Sequence, residues 1–296
     1  ADVAVEPNGV IQQVGSKARF GLMEFNSNGT DPQGGKVLAE VGGNMTSMIN
    51  AIENTSASTW TPLAESLYEA TRYFAQIPPA FANSNYTDNV TDKDPYYFKK
   101  PDWASSSQYV TCCKSYVIIF TDGQPTKDSK LPPQLKDWAH TIAAHAPVGF
   151  TGHCTAPGGC TEDHNTAPHT AHGGGLTNHN TQTDHHDNCS ASYGGVSLAN
   201  DVCWGNGSHS LEDIAYYAHT TDLRQGSVPK INLDGSDASG KDLNGFQNLT
   251  IYTFFAFGNG SNILKDAAKY GGFEDKNNNN LPDLTTEWDQ VDNLTG

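Results

Sequence analysis

Oxygen-bearing side chains recur at alternate positions in Asp275-Lys-Asn-Asn-Asn-Asn-Leu-Pro-Asp283. Asp275, Asn277, Asn279 and Asp283 fall at loop positions 1, 3, 5 and 9 of an EF-hand-like site, and Leu281 at position 7 offers its backbone carbonyl. Hard oxygen donors on a flexible loop suit Ca2+, which accepts irregular coordination. Position 6 is Asn280 where such loops carry glycine, and asparagine also tolerates left-handed backbone angles. Thr286 stands at position 12 and Glu287 follows it, so Glu287 is the candidate acid to close the cage one residue late. The competing reading is a polar turn stopped by Pro282.

A second pair of oxygen donors is Thr61 with Asp122. The run Ser115-Tyr-Val-Ile-Ile-Phe-Thr-Asp-Gly-Gln-Pro125 reads as a strand buried on both faces, as in the middle of a parallel sheet. Asp122 then falls where the strand ends, the edge at which open α/β sheets bind ligands. Thr61 opens the segment Thr61-Pro-Leu-Ala-Glu-Ser-Leu-Tyr-Glu-Ala-Thr-Arg-Tyr-Phe74. There it is expected at a helix N-cap, with Pro62 at the first helical position and Glu65 in the first turn. A hydroxyl and a carboxylate over one sheet edge could hold a hard divalent cation, directly or through water. Alternatively Thr61 only caps its helix and Asp122 only begins a turn.

A third group is an insertion rich in histidine and cysteine. His153, His164, His169, His172, His179, His185 and His186 lie among Cys154, Cys160 and Cys189. His169 with His172, and the pair His185–His186, could bind Zn2+ or Cu2+ through imidazole nitrogens, but no standard zinc spacing is present. A solvated loop pinned by disulfides explains the same residues. Cys154, Cys160, Cys189 and Cys203 bracket a stretch with few apolar residues to hold it, which favours disulfides there, and Cys112 and Cys113 complete the set. No Ser-His-Asp or Cys-His catalytic set stands out. Asp213 and His219 lie six residues apart on one expected helix and face different directions. A non-enzymatic protein is expected.

The elements that must position these groups follow from periodicity. Lys17 to Phe25 reads as a strand, Met45 to Ile52 as a short helix, and Thr61 to Phe74 as a helix with Leu63, Leu67, Ala70 and Phe74 on one face. Residues 78–110 form a polar, tyrosine-rich excursion. After the strand 115–121 come helices at Leu135–His145 and Leu211–His219, a strand at Asn248–Gly258, and a helix at Ile263–Tyr270. This order predicts a mostly parallel α/β sheet with helices on both faces and long loop insertions. The 296 residues carry 33 acidic and 17 basic side chains, a formal charge of -16. That excess argues against nucleic acid and anionic membrane surfaces as partners. No apolar run is long enough to span a membrane. A chain that starts at Ala1 without an initiating methionine is expected to have been processed or excised from a longer one.

Arg19-Phe-Gly-Leu-Met-Glu-Phe25, Thr61-Pro-Leu-Ala-Glu-Ser-Leu-Tyr68, Thr121-Asp-Gly-Gln-Pro125, Leu211-Glu-Asp-Ile-Ala-Tyr-Tyr-Ala-His-Thr-Thr-Asp-Leu-Arg224 and Gly271-Gly-Phe273 occur in this order. Together they resemble the von Willebrand factor A-like region of PilY-type proteins, type IV pilus assembly factors and tip adhesins. The resemblance implies a Rossmann-like von Willebrand A-like domain over residues 1–273, interrupted by an insertion at about 149–209, with the Asp/Asn-rich segment 274–296 leading onward. It also implies a metal-ion-dependent adhesion site, for which Thr61 and Asp122 match the second and third elements. The first element, an Asp-x-Ser-x-Ser loop, is absent, and the chain opens where its strand should already have passed. Without it the remaining ligands should bind Mg2+ poorly, since Mg2+ demands near-octahedral oxygen geometry, so Mg2+ or Ca2+ is expected at an incomplete site. The function implied is an extracellular, cation-dependent module of adhesion and pilus assembly, secreted through the periplasm and placed at a pilus tip or outer surface. Its partners would be minor pilin subunits and a surface or host ligand. The alternative is a surface protein that uses the His-rich loop for transition-metal binding or redox partnership.

Overall fold

The structure is a computed structural model that describes residues 9–14, 17–27, 33–56, 58–101, 103–121, 125–128, 130–132, 135, 192–193, 196–197, 210–225, 230–233, 237–238, 241–256 and 262–288. Asp122, the expected helix beyond Leu135, and every histidine and cysteine of the insertion lie outside the described residues.

After a short helix α1 (Val10–Val14), strands β1 (Leu22–Phe25) and β2 (Gly35–Ala39) form an antiparallel hairpin. The strand expected from Lys17 begins only at Leu22. Helix α2 (Met45–Asn54) follows, its first turn capped by Asn44, whose Oδ1 accepts from Ser47 N–H at 3.0 Å. Helix α3 (Leu63–Ala75) is buried at every position. Residues 78–110 add a 3-10 turn at Thr91–Lys93 and a two-residue ladder between β3 (Tyr97–Phe98) and β4 (Gln108–Tyr109). Strand β5 (Ser115–Thr121) then runs parallel to β6 (Leu249–Phe255), in register from Leu249 opposite Ser115 to Phe255 opposite Thr121. Between them in sequence lies α4 (Leu211–Thr220), and α5 (Asn262–Gly272) and α6 (Thr285–Trp288) close the chain.

One core joins these pieces. Leu63, Leu67 and Phe74 of α3, Ile214 and Ala215 of α4, and Ile263, Leu264 and Ala267 of α5 meet Val37, Ile119, Leu249 and Ile251 from the strands. The apolar positions fall at 3.6-residue spacing on the helices and at alternate positions on the strands, as burial of one face requires. Gly271 permits a close approach of α5 to its neighbours: a Cβ there would stand 2.6 Å from Ile251 Cβ and 2.9 Å from Ala215 Cβ. Any side chain would push α4, α5 and β6 apart.

The tyrosine-rich excursion is part of this core. Phe81, Tyr86 and Tyr96 are buried in it, and Tyr86 stacks edge-on against Tyr73, with centroids 5.5 Å apart. Here too lies Asp94, whose carboxylate takes both terminal nitrogens of Arg224, at 3.1 and 2.8 Å. Arg224 also donates to the carbonyls of Phe74 and Lys241, at 3.0 and 2.6 Å. This charge-assisted, two-pronged contact ties the excursion to the segment that follows α4.

Glu69 of α3 holds the start of the excursion by accepting from Ala80 N–H at 3.2 Å and Phe81 N–H at 3.3 Å. Burial pushes its carboxyl up to about 7, against the opposing pull of Tyr86 and Arg72. A folded-state value above the unfolded one means that the native state binds the extra proton between them. Stability should therefore fall as pH rises from about 4.5 to 7. Urea midpoints of wild type and Glu69→Gln across that range check this, and the variant should lose that part of the slope.

Candidate functional site

The loop after β5 runs back to α3. Thr61 N–H donates to Thr126 Oγ1 at 2.8 Å, and Thr126 N–H donates to Thr61 O at 3.0 Å. Two residues on, the buried Asp128 carboxylate accepts from Ala64 N–H at 2.9 Å and from Glu65 N–H at 2.8 Å. These are orphan donors of the first turn of α3, and an anion is favoured at the positive end of a helix. The capping role expected of Thr61 thus belongs to Asp128. The helix begins at Leu63 rather than Pro62, and its N-cap position has no side-chain cap of its own. The Thr61 hydroxyl makes no hydrogen bond to a described residue. Glu65 secures the same corner, accepting from Gly34 N–H at 2.9 Å and Lys130 N–H at 2.8 Å. Thr61 therefore sits against Thr126, five residues beyond the end of β5. Sequence spacing gave no sign of Asp128, which lies 64 residues from the backbone that it caps.

The second site is the loop after α5, where the expected donors come together. Asp275 organises it, its two oxygens accepting from Asn279 N–H at 3.1 Å and Asn280 N–H at 2.9 Å. Asn277 Oδ1 accepts from Asn279 N–H at 3.3 Å, and Asn279 Oδ1 from Leu281 N–H at 2.8 Å. The backbone is left-handed at Asn278 and Asn280, both with φ of 59°. Asparagine tolerates that region better than most residues, which explains its use where glycine was expected. Asp283 closes the ring: its Oδ1 and Oδ2 each accept an amide N–H, from Asn277 and Asn279, at 2.9 Å. Asp275 and Asp283, with Asn277 and Asn279 between them, thus form one hydrogen-bonded ring.

Glu287 is buried beside this ring and spans its ends. Its Oε1 accepts from Lys276 N–H at 2.9 Å and its Oε2 from Leu284 N–H at 3.0 Å. Both carboxylate oxygens thus clasp backbone. The loop is anchored to the core by Leu281, which is buried, and by the Tyr216 hydroxyl of α4, which donates to the Asn280 carbonyl. Burial, with the Asp275 charge behind it, pushes the Tyr216 phenol up, so it stays a donor at any physiological pH. His219, on the next turn of α4, places its two ring nitrogens 3.2 Å from Leu249 O and 2.9 Å from Phe273 O. It fastens the start of β6 to the residues just before the loop, and burial pushes its imidazole down. On the far side Lys269 lies 4.8 Å over the Trp288 ring.

The donor set of this loop fits a hard cation: two carboxylates, two side-chain amides and a backbone carbonyl, all oxygen and mostly uncharged. Among the described residues no group of three or more His, Cys, Asp or Glu side chains gathers as a metal site. Among the described residues no helix is long and apolar enough to cross a membrane.

No curated protein and no solved structure matches the chain. One family does: PilY1 homolog, second domain, matches residues 4–203, which is 200 of the 296 residues. That span holds the hairpin, α3, the capping loop and β5, and it ends before the Asp/Asn-rich loop. The chain therefore belongs to the PilY1 homolog family, whose second domain it carries, and its function is related to type IV pili.

Proposed function

We propose that this domain is a non-enzymatic, cation-dependent module of adhesion and pilus assembly, exposed at the cell surface or pilus tip. The carrying observation is the ring at residues 275–283, in which Asp275 and Asp283 hold an oxygen-rich loop in a preset turn. Ca2+ would take the Asp275 and Asp283 carboxylates, the Asn277 and Asn279 side-chain oxygens and the Leu281 carbonyl. Its charge would replace the two neutral amide N–H groups that now donate to Asp283. Each amide would turn its oxygen inward, a rotation that costs one turn-forming hydrogen bond. Glu287 would keep the two ends of the loop together from outside the cage. The bound ion would stiffen the segment after α5 and fix the direction in which the chain leaves the domain.

A von Willebrand A-like arrangement with helices on both faces of the sheet is the fold this reading assumes. In it, Thr61 and Asp122 over the sheet edge are the remaining pair for a Mg2+ or Ca2+ adhesion site, whose coordination a ligand carboxylate completes. Support comes from the contact between Thr61 and the loop after β5. Minor pilin subunits and a surface or host ligand are the proposed partners.

The reading is tested in cells whose only copy carries Asp275→Ala with Asp283→Ala. Surface piliation and attachment should fall in wild-type cells when calcium is chelated and should already be low, and insensitive to calcium, in the variant. A variant that responds to chelation just as wild type does would refute it.

A further inference from the structure

Lys269 is a charge without an ordinary partner. It lies in the last turn of α5, half-buried. Among the described residues its ammonium makes no hydrogen bond and no ion pair. It rests on two rings instead, 4.8 Å from the centre of Trp288 and 5.5 Å from that of Tyr270. Two carboxylates act on it from farther off. One is Asp266, a turn back on its own helix, and the other is Asp283, which closes the ring of residues 275–283. Burial pushes the amine down, and these two carboxylates oppose that. Holding an ammonium part-way out of water with no acceptor costs free energy, which the aromatic faces and the two carboxylates offset.

The ring itself holds negative charge with only neutral groups in contact. Among the described residues, Asp283 accepts from the Asn277 and Asn279 amides, and Asp275 from the backbone N–H groups of Asn279 and Asn280. Lys276, on the loop, is exposed, and its Nζ donates to the Thr286 carbonyl at 2.5 Å. Lys269 is therefore the half-buried positive charge that acts on this ring. A Ca2+ ion among these oxygens and an ammonium held nearby repel each other, more strongly where water is partly excluded than in bulk. Retreat of the ammonium loosens its contact with Trp288. That contact ties α5 to α6, the helix whose Glu287 spans the two ends of the loop.

We propose that Lys269 sets the cation affinity of the ring: its charge opposes Ca2+ and keeps the loop in the weak range of calcium modules, about 10⁻⁴ to 10⁻³ M. The inference rests on calcium binding at residues 275–283 and adds the residue that tunes it. Lys269 is no ligand. It acts through its charge, which distinguishes it from a mere pin between α5 and α6.

The test is calorimetric titration of residues 1–296 with Ca2+, for wild type, Lys269→Met and Lys269→Arg. Methionine keeps the unbranched stem and its packing on Trp288 but carries no charge, so affinity should rise about tenfold. Arginine keeps both the charge and the stacking, so its affinity should stay within about twofold of wild type. Lys269→Gln, uncharged but polar, should match Lys269→Met and replaces it if the methionine variant does not fold. Wild type that binds Ca2+ while the uncharged variants bind no more tightly would overturn this proposal and leave the calcium reading standing. An arginine variant that gains as much as the methionine one would also overturn it, because the charge would then not be the cause. Absence of binding in wild type and Lys269→Met alike would refute calcium at the ring, and this inference with it.

Discussion

Replacing Asp94 with alanine should lower the unfolding free energy by about 3–5 kcal/mol, the largest single loss expected in this domain. The Asp94 and Arg224 side chains are 1% and 0% exposed. Without Asp94, two terminal nitrogens of a guanidinium are left in a site that water does not reach. The carbonyls of Phe74 and Lys241 satisfy part of its donor capacity but carry no compensating charge. The penalty comes from the stranded ion more than from the lost attraction, and this can be shown directly. Asp94→Leu combined with Arg224→Met removes both charges and nearly keeps volume, so it should recover part of the loss; the buried Tyr96 N–H, which donates to Asp94 Oδ1 at 2.9 Å, stays unpaired. Urea unfolding of the two variants beside wild type measures the difference. A cost below about 1 kcal/mol for Asp94→Ala would mean that the pair is far better hydrated than its burial indicates.

The second large effect is at Asp128, where alanine should cost about 2–3 kcal/mol. Two buried N–H groups of α3 lose a charged acceptor, and hydrogen bonds to ionised groups contribute about 1.5–3 kcal/mol. Favourable interaction with the helix dipole goes with them. Asp128→Asn keeps one oxygen and should recover part of the loss. Amide exchange at Ala64 and Glu65 should quicken before that of the rest of α3, and the Thr61–Thr126 contact should loosen with it. The substitution thus disturbs the Thr61 corner without touching Thr61. Unchanged exchange at both amides would show that the cap does not hold that corner.

The elements nearest this corner were legible because each carries its own period. The helical spacing of Leu63, Leu67, Ala70 and Phe74 reports a local burial pattern, and the runs at Val117–Phe120 and Leu249–Phe255 announce strands; the expected burial of the first on both faces is not met, since Ile118 and Phe120 are 69% and 63% exposed. The Asp275 loop was legible for the same reason: its partners are within a dozen residues. What sequence did not reveal is long-range. Asp128 caps a helix 64 residues away, and Arg224 pairs with Asp94 across 130 residues. Neither contact leaves a periodic trace. Residues 78–110 read as a polar excursion because their buried tyrosines are spaced by the shape of the cavity they fill, which follows no helix or strand period. Glu287 was legible as part of the loop. Its position outside the ring follows from the turn at Leu284, whose N–H it accepts. The run in β5 announces an apolar strand but cannot say which of its faces this chain covers.

Ca2+ bound at the proposed ring of Asp275, Asn277, Asn279, Leu281 and Asp283 should stiffen it. The direct measurement is the melting temperature of the purified chain in EDTA and in about 10 mM Ca2+, for wild type and for Asp283→Ala. With an affinity near that of weak extracellular calcium modules, 10⁻⁴ M, binding adds about 2.7 kcal/mol. The wild type should then melt roughly 4 °C higher with calcium, and Asp283→Ala should melt at one temperature in both buffers. A wild-type melting temperature that is the same with and without calcium would contradict the account.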